Sequence, residues 1–425
     1  MTPRNSFVFS CGLAAISCGV AEAQTPPSSG SSVVPAATNT SSRTAVAREA
    51  APMKFAAPTF GNGTSMLAPG IANAADRAGS ALAFFNPSLT YSFQYGDGLA
   101  SSSGNDESTV IQQLTPTVFV VFAEKTNLTY SPSYTWYSSD SYESTVSHTA
   151  SASASWQTGE VVFNFGQNYA RTNSPLIETG LQTEQETWAT NFDASYPLGD
   201  KTRLSGGLGR SVRNTDLFTD VETWSGNVAL SRVVNPALTG TASVAGSYSS
   251  FDTGADLVSR SVNVGASWKP GVKASANLSA GLNFSGFTGD GKQSTSPIYS
   301  GSLTYQLFET TGLSLSGQRS VNTSYFSNQF TRDTSYQAAL SQRIFQRFFF
   351  SGTLSWTRSS YIGRTPGDLP VAREDDSWMT SAQISTQILR KFSTALTWSH
   401  TEIDSNFPGV TRTSTLYGIS ISWRF

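Results

Sequence analysis

The sequence predicts an all-β protein, a transmembrane antiparallel up-and-down β-barrel of about 18 strands, with 16 as the alternative. Three observations predict it. Apolar and small polar residues alternate with a period of two over most of the chain, and the last such run closes on an aromatic, Trp423-Arg424-Phe425. Connectors between the runs alternate short and long. Charged residues make up only 13% of the chain, about half the ~25% of ordinary soluble domains. Lipid on one face and Ser, Thr, Asn, Gln and Gly on the other would satisfy such a composition, whereas a water-covered surface would not.

Residues 1–23 read as a secretory signal peptide: Arg4 gives the positive start, Phe7 to Val20 the apolar core, and Ala21-Glu22-Ala23 before Gln24 the cleavage pattern, with the cut between Ala23 and Gln24. For the lipoprotein alternative, acylation would fall on Cys18, but Ala15-Ile16-Ser17 lacks the usual Leu three positions upstream. The two cysteines, Cys11 and Cys18, both lie in this signal, so disulfides, thiolate metal sites and a Cys nucleophile are excluded for the mature chain. No run approaches the ~18 apolar residues of a membrane-spanning helix. Residues 24–85 form a Pro/Ser/Ala/Gly-rich low-complexity stretch, expected to be a disordered periplasmic segment because it cannot bury enough apolar surface to offset its ordering entropy. Within it only Ile71 to Phe84 has the makings of a short helix.

The barrel is expected over residues 86–425. Outward faces read Leu89/Tyr91/Phe93/Tyr95, Leu128/Tyr130/Tyr134/Trp136, Val262/Val264/Ala266/Trp268 and Tyr417/Ile419/Ile421/Trp423. The intervening positions are small and polar, which makes Asn263, Asn277, Ser302 and Gln383 lumen-lining candidates. Tight turns are expected at Pro197-Leu198-Gly199-Asp200, Lys269-Pro270-Gly271, Phe345-Gln346-Arg347 and Leu389-Arg390-Lys391. Long connectors are expected at 97–108, 171–187, 249–260, 286–298, 319–334, 357–377 and 400–414. Outer-membrane barrels have short periplasmic turns and long outer loops, so the alternation orients the chain with both barrel ends in the periplasm.

The nine tryptophans fall near strand ends on the apolar phase. Trp136, Trp188, Trp224, Trp356, Trp378 and Trp398 adjoin long connectors, while Trp156, Trp268 and Trp423 adjoin short turns or the terminus. Two belts of amphipathic rings are what the two membrane–water boundaries favour. Phe425, closing the last strand, is expected to act as the C-terminal signal read by the barrel-assembly machinery.

Motifs for chemistry are sparse. The histidines are His148, in an alternating run, and His400, four residues before Asp404; His400 with Asp404 is the one constellation suited to an outer-membrane hydrolase, and an interfacial polar role is the simpler reading. Glu374-Asp375-Asp376 and the Asp252/Asp256 pair lack calcium-loop spacing. Gly206-Gly207-Leu208-Gly209 lies mid-strand with no following helix and is no phosphate loop. Arg203, Arg213, Arg232, Lys273, Arg343, Arg347, Arg390, Lys391 and Arg424 read as interfacial charges near strand ends. No catalytic, metal or cofactor site is expected, and the net charge of −2 offers no footprint for nucleic acid.

Pro87-Ser88-Leu89-Thr90-Tyr91, Thr115-Pro116-Thr117-Val118, Leu128-Thr129-Tyr130-Ser131-Pro132-Ser133-Tyr134 and the closing Ile419-Ser420-Ile421-Ser422-Trp423-Arg424-Phe425 resemble the β-barrel porin type 2 family, outer-membrane proteins that include exopolysaccharide-operon barrels. The resemblance implies a pore-like barrel in the bacterial outer membrane, with no catalytic motif to carry over. The expected activity is passive diffusion of small solutes. The alternatives are a conduit for secreted exopolysaccharide, which would need a periplasmic export partner, and a structural or adhesive surface barrel. Outer-membrane lipid and the assembly machinery are the expected partners.

Overall fold

The structure, a computed structural model, describes residues 84–97, 108–122, 125–176, 182–289, 293–363, 373–407 and 409–425. The expected signal, its cleavage site and nearly all of the low-complexity segment lie outside the described residues. The described chain forms 18 strands: β1 Phe84–Asp97, β2 Thr109–Phe122, β3 Thr126–Tyr137, β4 Thr145–Thr158, β5 Val161–Pro175, β6 Gln182–Gly199, β7 Thr202–Thr215, β8 Val221–Asn235 and β9 Leu238–Phe251. The remainder are β10 Leu257–Trp268, β11 Ala274–Phe287, β12 Ser294–Phe308, β13 Thr311–Thr323, β14 Gln329–Ile344, β15 Phe348–Gly363, β16 Glu374–Leu389, β17 Phe392–Ser405 and β18 Arg412–Arg424.

Each strand pairs antiparallel with its chain neighbours, and β1 pairs with β18 from Ser88↔Arg424 to Asp97↔Thr415. The sheet therefore closes on itself, an up-and-down barrel of 18 strands without a free edge at its girth. The closure carries the alternation across the seam: Tyr91↔Ile421 and Phe93↔Ile419 share one face, Thr90↔Ser422 and Ser92↔Ser420 the other, with the Thr90 and Ser422 hydroxyls 2.8 Å apart. Phe425 extends the seam by donating its N–H to the Pro87 carbonyl.

The core is inverted relative to a soluble domain. The aliphatic phase points outward, where Val264 and Leu278 are 63% and 64% exposed, and hydroxyls, amides and glycines point inward. An apolar exterior of this extent is stable only against hydrocarbon. Rings cluster along it at two levels. Trp356 lies between Tyr336 (5.7 Å) and Trp378 (6.3 Å), and Tyr169 packs on Trp188 (4.3 Å). Trp423 packs on Phe392 (5.6 Å) and Phe425 (4.0 Å), and Trp156 on Phe163 (5.6 Å), beside the short turns.

The short turns share a device. Gln157, Gln306, Gln342 and Gln387, each near the end of its strand, donate their amide N–H to a carbonyl at the strand end or in the turn just beyond it, at 2.7–3.1 Å. At the opposite end the strands continue further than the sequence reading placed them. The stretch expected as a connector over 171–187 is strand up to Pro175 and again from Gln182, and that over 319–334 is strand except around 324–328. The alternation there weakens in hydrophobicity but not in period, and cross-strand pairing carries the wall beyond the 9–11 residues that span a membrane.

Candidate functional site: the lumen and its mouth

Cross-strand register fixes which side chains face the bore. Asn263, Asn277, Ser302 and Gln383 all lie on the inward phase of β10, β11, β12 and β16, among hydroxyls; Asn277 Nδ2 donates to Ser302 Oγ at 3.4 Å and Asn263 Nδ2 to Ser261 Oγ at 3.3 Å. Amides lie flat against the wall because glycines make room beside them. A Cβ on Gly281 would sit 2.2 Å from Asn263 Oδ1, and one on Gly207 would sit 2.2 Å from Asp193 Oδ1 and 2.8 Å from Asn227 Oδ1. Lying down, these side chains take less of the bore than projecting ones would. Among the described inward residues below the fork, Asp193 is the one charge away from the rim; Arg203, Arg343 and Arg424 stand at the short-turn rim, and Asp333, on the inward phase of β14 at the fork, accepts from Asn322 Nδ2 and Thr331 Oγ1.

The mouth at the long-loop end is narrowed by the chain itself. Pairing between β12 and β13 begins at Tyr299↔Arg319, whereas β11–β12 pairs up to Ser285↔Ser294 and β13–β14 up to Thr323↔Phe330. The wall therefore forks above Tyr299. The upper β13–β14 hairpin and the top of β15 lean into the barrel, so that residues of their outward phase, Val321, Phe330 and Ile362, pack on inward-phase residues of the wall ahead of them, Val221, Phe251, Leu257 and Phe287. Val221, Phe251, Leu257 and Phe330 are all buried, and the Phe287 and Phe330 rings stand 5.8 Å apart. This is the one hydrophobic cluster among the described residues, and it has the face-to-face packing of two sheets.

Polar contacts pin the hairpin tip to the wall. Arg213 donates from Nη2 to the Ser324 carbonyl at 2.7 Å, and its guanidinium lies 4.1 Å above the Tyr325 ring. The Tyr325 hydroxyl donates to Gln185 Oε1 at 2.9 Å, and its carbonyl accepts from Thr219 N–H. Phe218 meets Tyr325 and Phe326 edge-on. Asn328, at φ 57°, accepts the Ala255 N–H at 2.9 Å. It fits because Gly254 and Gly363 flank it: a Cβ on either would fall 2.9 Å and 2.1 Å from Asn328 atoms. Arg332 hydrogen-bonds Ser296 Oγ through Nε and Nη2, and Arg319 at the fork has a buried Nε with no partner among the described residues. Arg213, read from sequence as an interfacial charge, is thus a clamp on the hairpin.

Beside the fork a second polar knot closes the tops of β15–β17. Arg373 and Asp375 form a buried ion pair at 2.6 Å, and Asp375 also accepts from the Tyr361 and Ser405 hydroxyls. Every carboxylate lone-pair direction is used, which favours a fixed rim. Its neighbours Glu374 and Asp376 point the other way, and Asp376 binds Arg358 in two parallel bonds of 2.8 Å, so the acidic triplet is not a single cluster. Asp256 accepts from the Tyr248 hydroxyl.

The histidines are on the outer surface. His148 Nδ1 lies 2.9 Å from the Tyr130 hydroxyl, and His400 Nδ1 lies 2.9 Å from Thr415 Oγ1 with its ring stacked on Trp398. His400 is held by Thr415 rather than by Asp404, whose strand neighbour is Asp376. The sequence pairing of His400 with Asp404 is not assembled. Among the described residues no group of three or more His, Cys, Asp or Glu is placed to hold a metal.

A closed, even-stranded antiparallel barrel with an apolar outer band, two ring girdles and a hydroxyl- and amide-lined bore is a β-barrel of the outer-membrane type. No protein-family model matches the chain, and no curated protein matches it. Several solved structures are similar to it in fold. Pseudomonas aeruginosa OccK2 (OpdF) in complex with glucuronate is 10% identical with a TM-score of 0.45, over 80% of this chain and 98% of that one. Acinetobacter baumannii OccAB3 is 10% identical with a TM-score of 0.42, over 80% and 99%. The FrpB iron transporter of Neisseria meningitidis is 11% identical with a TM-score of 0.43, over 76% and 62%.

Proposed function

We propose that this protein is an outer-membrane channel for the passive diffusion of small, neutral, polar solutes, and that no residue performs a reaction. The observation that carries this reading is the bore: a ring of 18 strands is wide enough to leave an aqueous passage, and most of its inward phase is Ser, Thr, Asn, Gln and Gly. Such groups exchange hydrogen bonds with water and with hydroxylated solutes at nearly equal free energy, so a solute neither sticks nor is expelled. The folded-in hairpin sets the size limit at the long-loop mouth, and Asp193 adds a weak preference for cations.

The test is conductance of the purified chain in planar bilayers, with neutral sugars of increasing size added to one side. Discrete conducting steps that small sugars reduce and large ones leave unchanged are expected. Absence of conductance, both in the native chain and after shortening of residues 324–328, would remove the channel reading and leave the structural or adhesive barrel. Entry of long neutral oligosaccharides would instead favour the exopolysaccharide conduit, which the same hydroxyl-lined bore accommodates and for which a periplasmic partner is then required.

A further inference from the structure

We infer that the short-turn end of the barrel is a recognition surface for anionic phospholipid headgroups. Two independent features of these turns point to it. The first is charge. Lys201, Lys269, Lys273, Arg347, Arg390 and Lys391 project from the turns, all exposed, and none is in an ion pair among the described residues. The described acids of the same turns are Glu160, Asp200 and Glu309. At the opposite end acids outnumber bases on the outward phase: Glu184, Glu186, Glu374, Asp376, Glu402 and Asp404 stand above the upper tryptophans, with Glu184 and Asp376 paired to Arg171 and Arg358 and the other four in no ion pair among the described residues. The chain is close to neutral overall and yet electrically polar along its axis.

The second feature is apolar. Val272 and Phe345 sit at turn tips with 99% and 87% of their surface uncovered, and Phe308, Ile388 and Leu389 are exposed beside them. Phe345 does so in the left-handed region, at φ 46°, followed by Gln346 at φ 59°. A hairpin turn with both central residues at positive φ ordinarily carries Asn-Gly, and a bulky side chain there is strained. Strain that presents a phenyl ring outward needs a compensating contact. Water offers none, and neither does a soluble anionic polymer. The glycerol and upper acyl region of a lipid leaflet does, directly beneath phosphates that the flanking Lys and Arg can reach. Outer-membrane barrels turn their short connections to the periplasm, so the leaflet concerned is the phospholipid one.

The experiment uses the full chain folded in nanodiscs that contain phosphatidylglycerol and phosphatidylethanolamine in equal amounts, with the lipids that remain bound on detergent transfer counted by native mass spectrometry. Roughly tenfold enrichment of phosphatidylglycerol is expected, since each basic group near an anionic surface contributes about a fivefold factor before screening. Changing Lys269, Lys273, Arg347, Arg390 and Lys391 to Gln should bring the ratio close to one. A second variant, Val272→Ser with Phe345→Ser, keeps every charge; it should retain fewer lipids of both kinds with the preference intact. Heat-modifiable gel migration checks that each variant is folded. Equal retention of both lipids by the native chain, an unchanged ratio in the charge variant, or binding of polyglutamate as tight as that of phosphatidylglycerol vesicles would each overturn the proposal. Conductance should persist in both variants because none of these residues lines the bore between its ends, so a failure here is distinguishable from a failure of the channel reading.

Discussion

Asp193 is the residue whose change should be easiest to read. One unit charge about 7 Å from a permeating ion in a water-like medium contributes ~0.6 kcal/mol. Asp193→Asn should therefore lower the cation-to-anion permeability ratio by about two- to threefold, measured as a shift in reversal potential under a salt gradient, with little change in single-channel conductance. The neighbouring Gly207 is predicted to be intolerant for a different reason. Any Cβ there collides with Asp193 and Asn227, so Gly207→Ala should push both side chains toward the axis and reduce conductance while the carboxylate is retained. At the Phe345-Gln346 turn, replacement by Asn-Gly removes two left-handed penalties and should stabilise the barrel by about 1 kcal/mol in urea unfolding. The outward Arg–carboxylate pairs, such as Arg171 with Glu184, are exposed and should be worth little when broken singly.

The decisive element is the β13–β14 hairpin. Phe330→Ala removes the ring shared by Val221, Phe251 and Leu257, a loss of about 2–4 kcal/mol in a packed site. That shifts the docked-to-undocked ratio by about 30- to 1,000-fold, so the variant should conduct more, admit larger sugars and show frequent transitions between levels. Gly363→Val and Arg213→Ala should act in the same direction, the first by blocking the seat of Asn328 and the second by releasing the Ser324 carbonyl and the Tyr325 ring. Conductance unchanged in all three would mean that the hairpin does not limit the bore. This element is also where the sequence was least legible. The dyad period specifies the strand number, the two faces and the short turns, because hydrocarbon imposes the same rule on every strand. It cannot distinguish an apolar side chain facing lipid from one of the same phase folded inward, and Val321, Phe330 and Ile362 read as ordinary wall. Arg319 and Arg332 on the same outward phase do not mark the inward fold either, because Arg358, level with Arg319 and on the same phase, faces outward in an ion pair with Asp376.

At the scale of the barrel, closure of β1 on β18 makes the ladder continuous below the fork, so unfolding should be cooperative and the unheated protein should migrate faster in a gel than the boiled one. The fork has a consequence for chain integrity. Its tip residues belong to the connection between two strands that each keep a partner on the other side, β13 through β12 below Tyr299 and β14 through β15 along its length. A protease applied to intact cells that nicks the Phe330→Ala variant between Ser324 and Asn328 should therefore leave it a single species in the cold. Boiling would then release two fragments, one ending and one beginning near residue 326, and their appearance on whole cells would place the tip on the bacterial exterior.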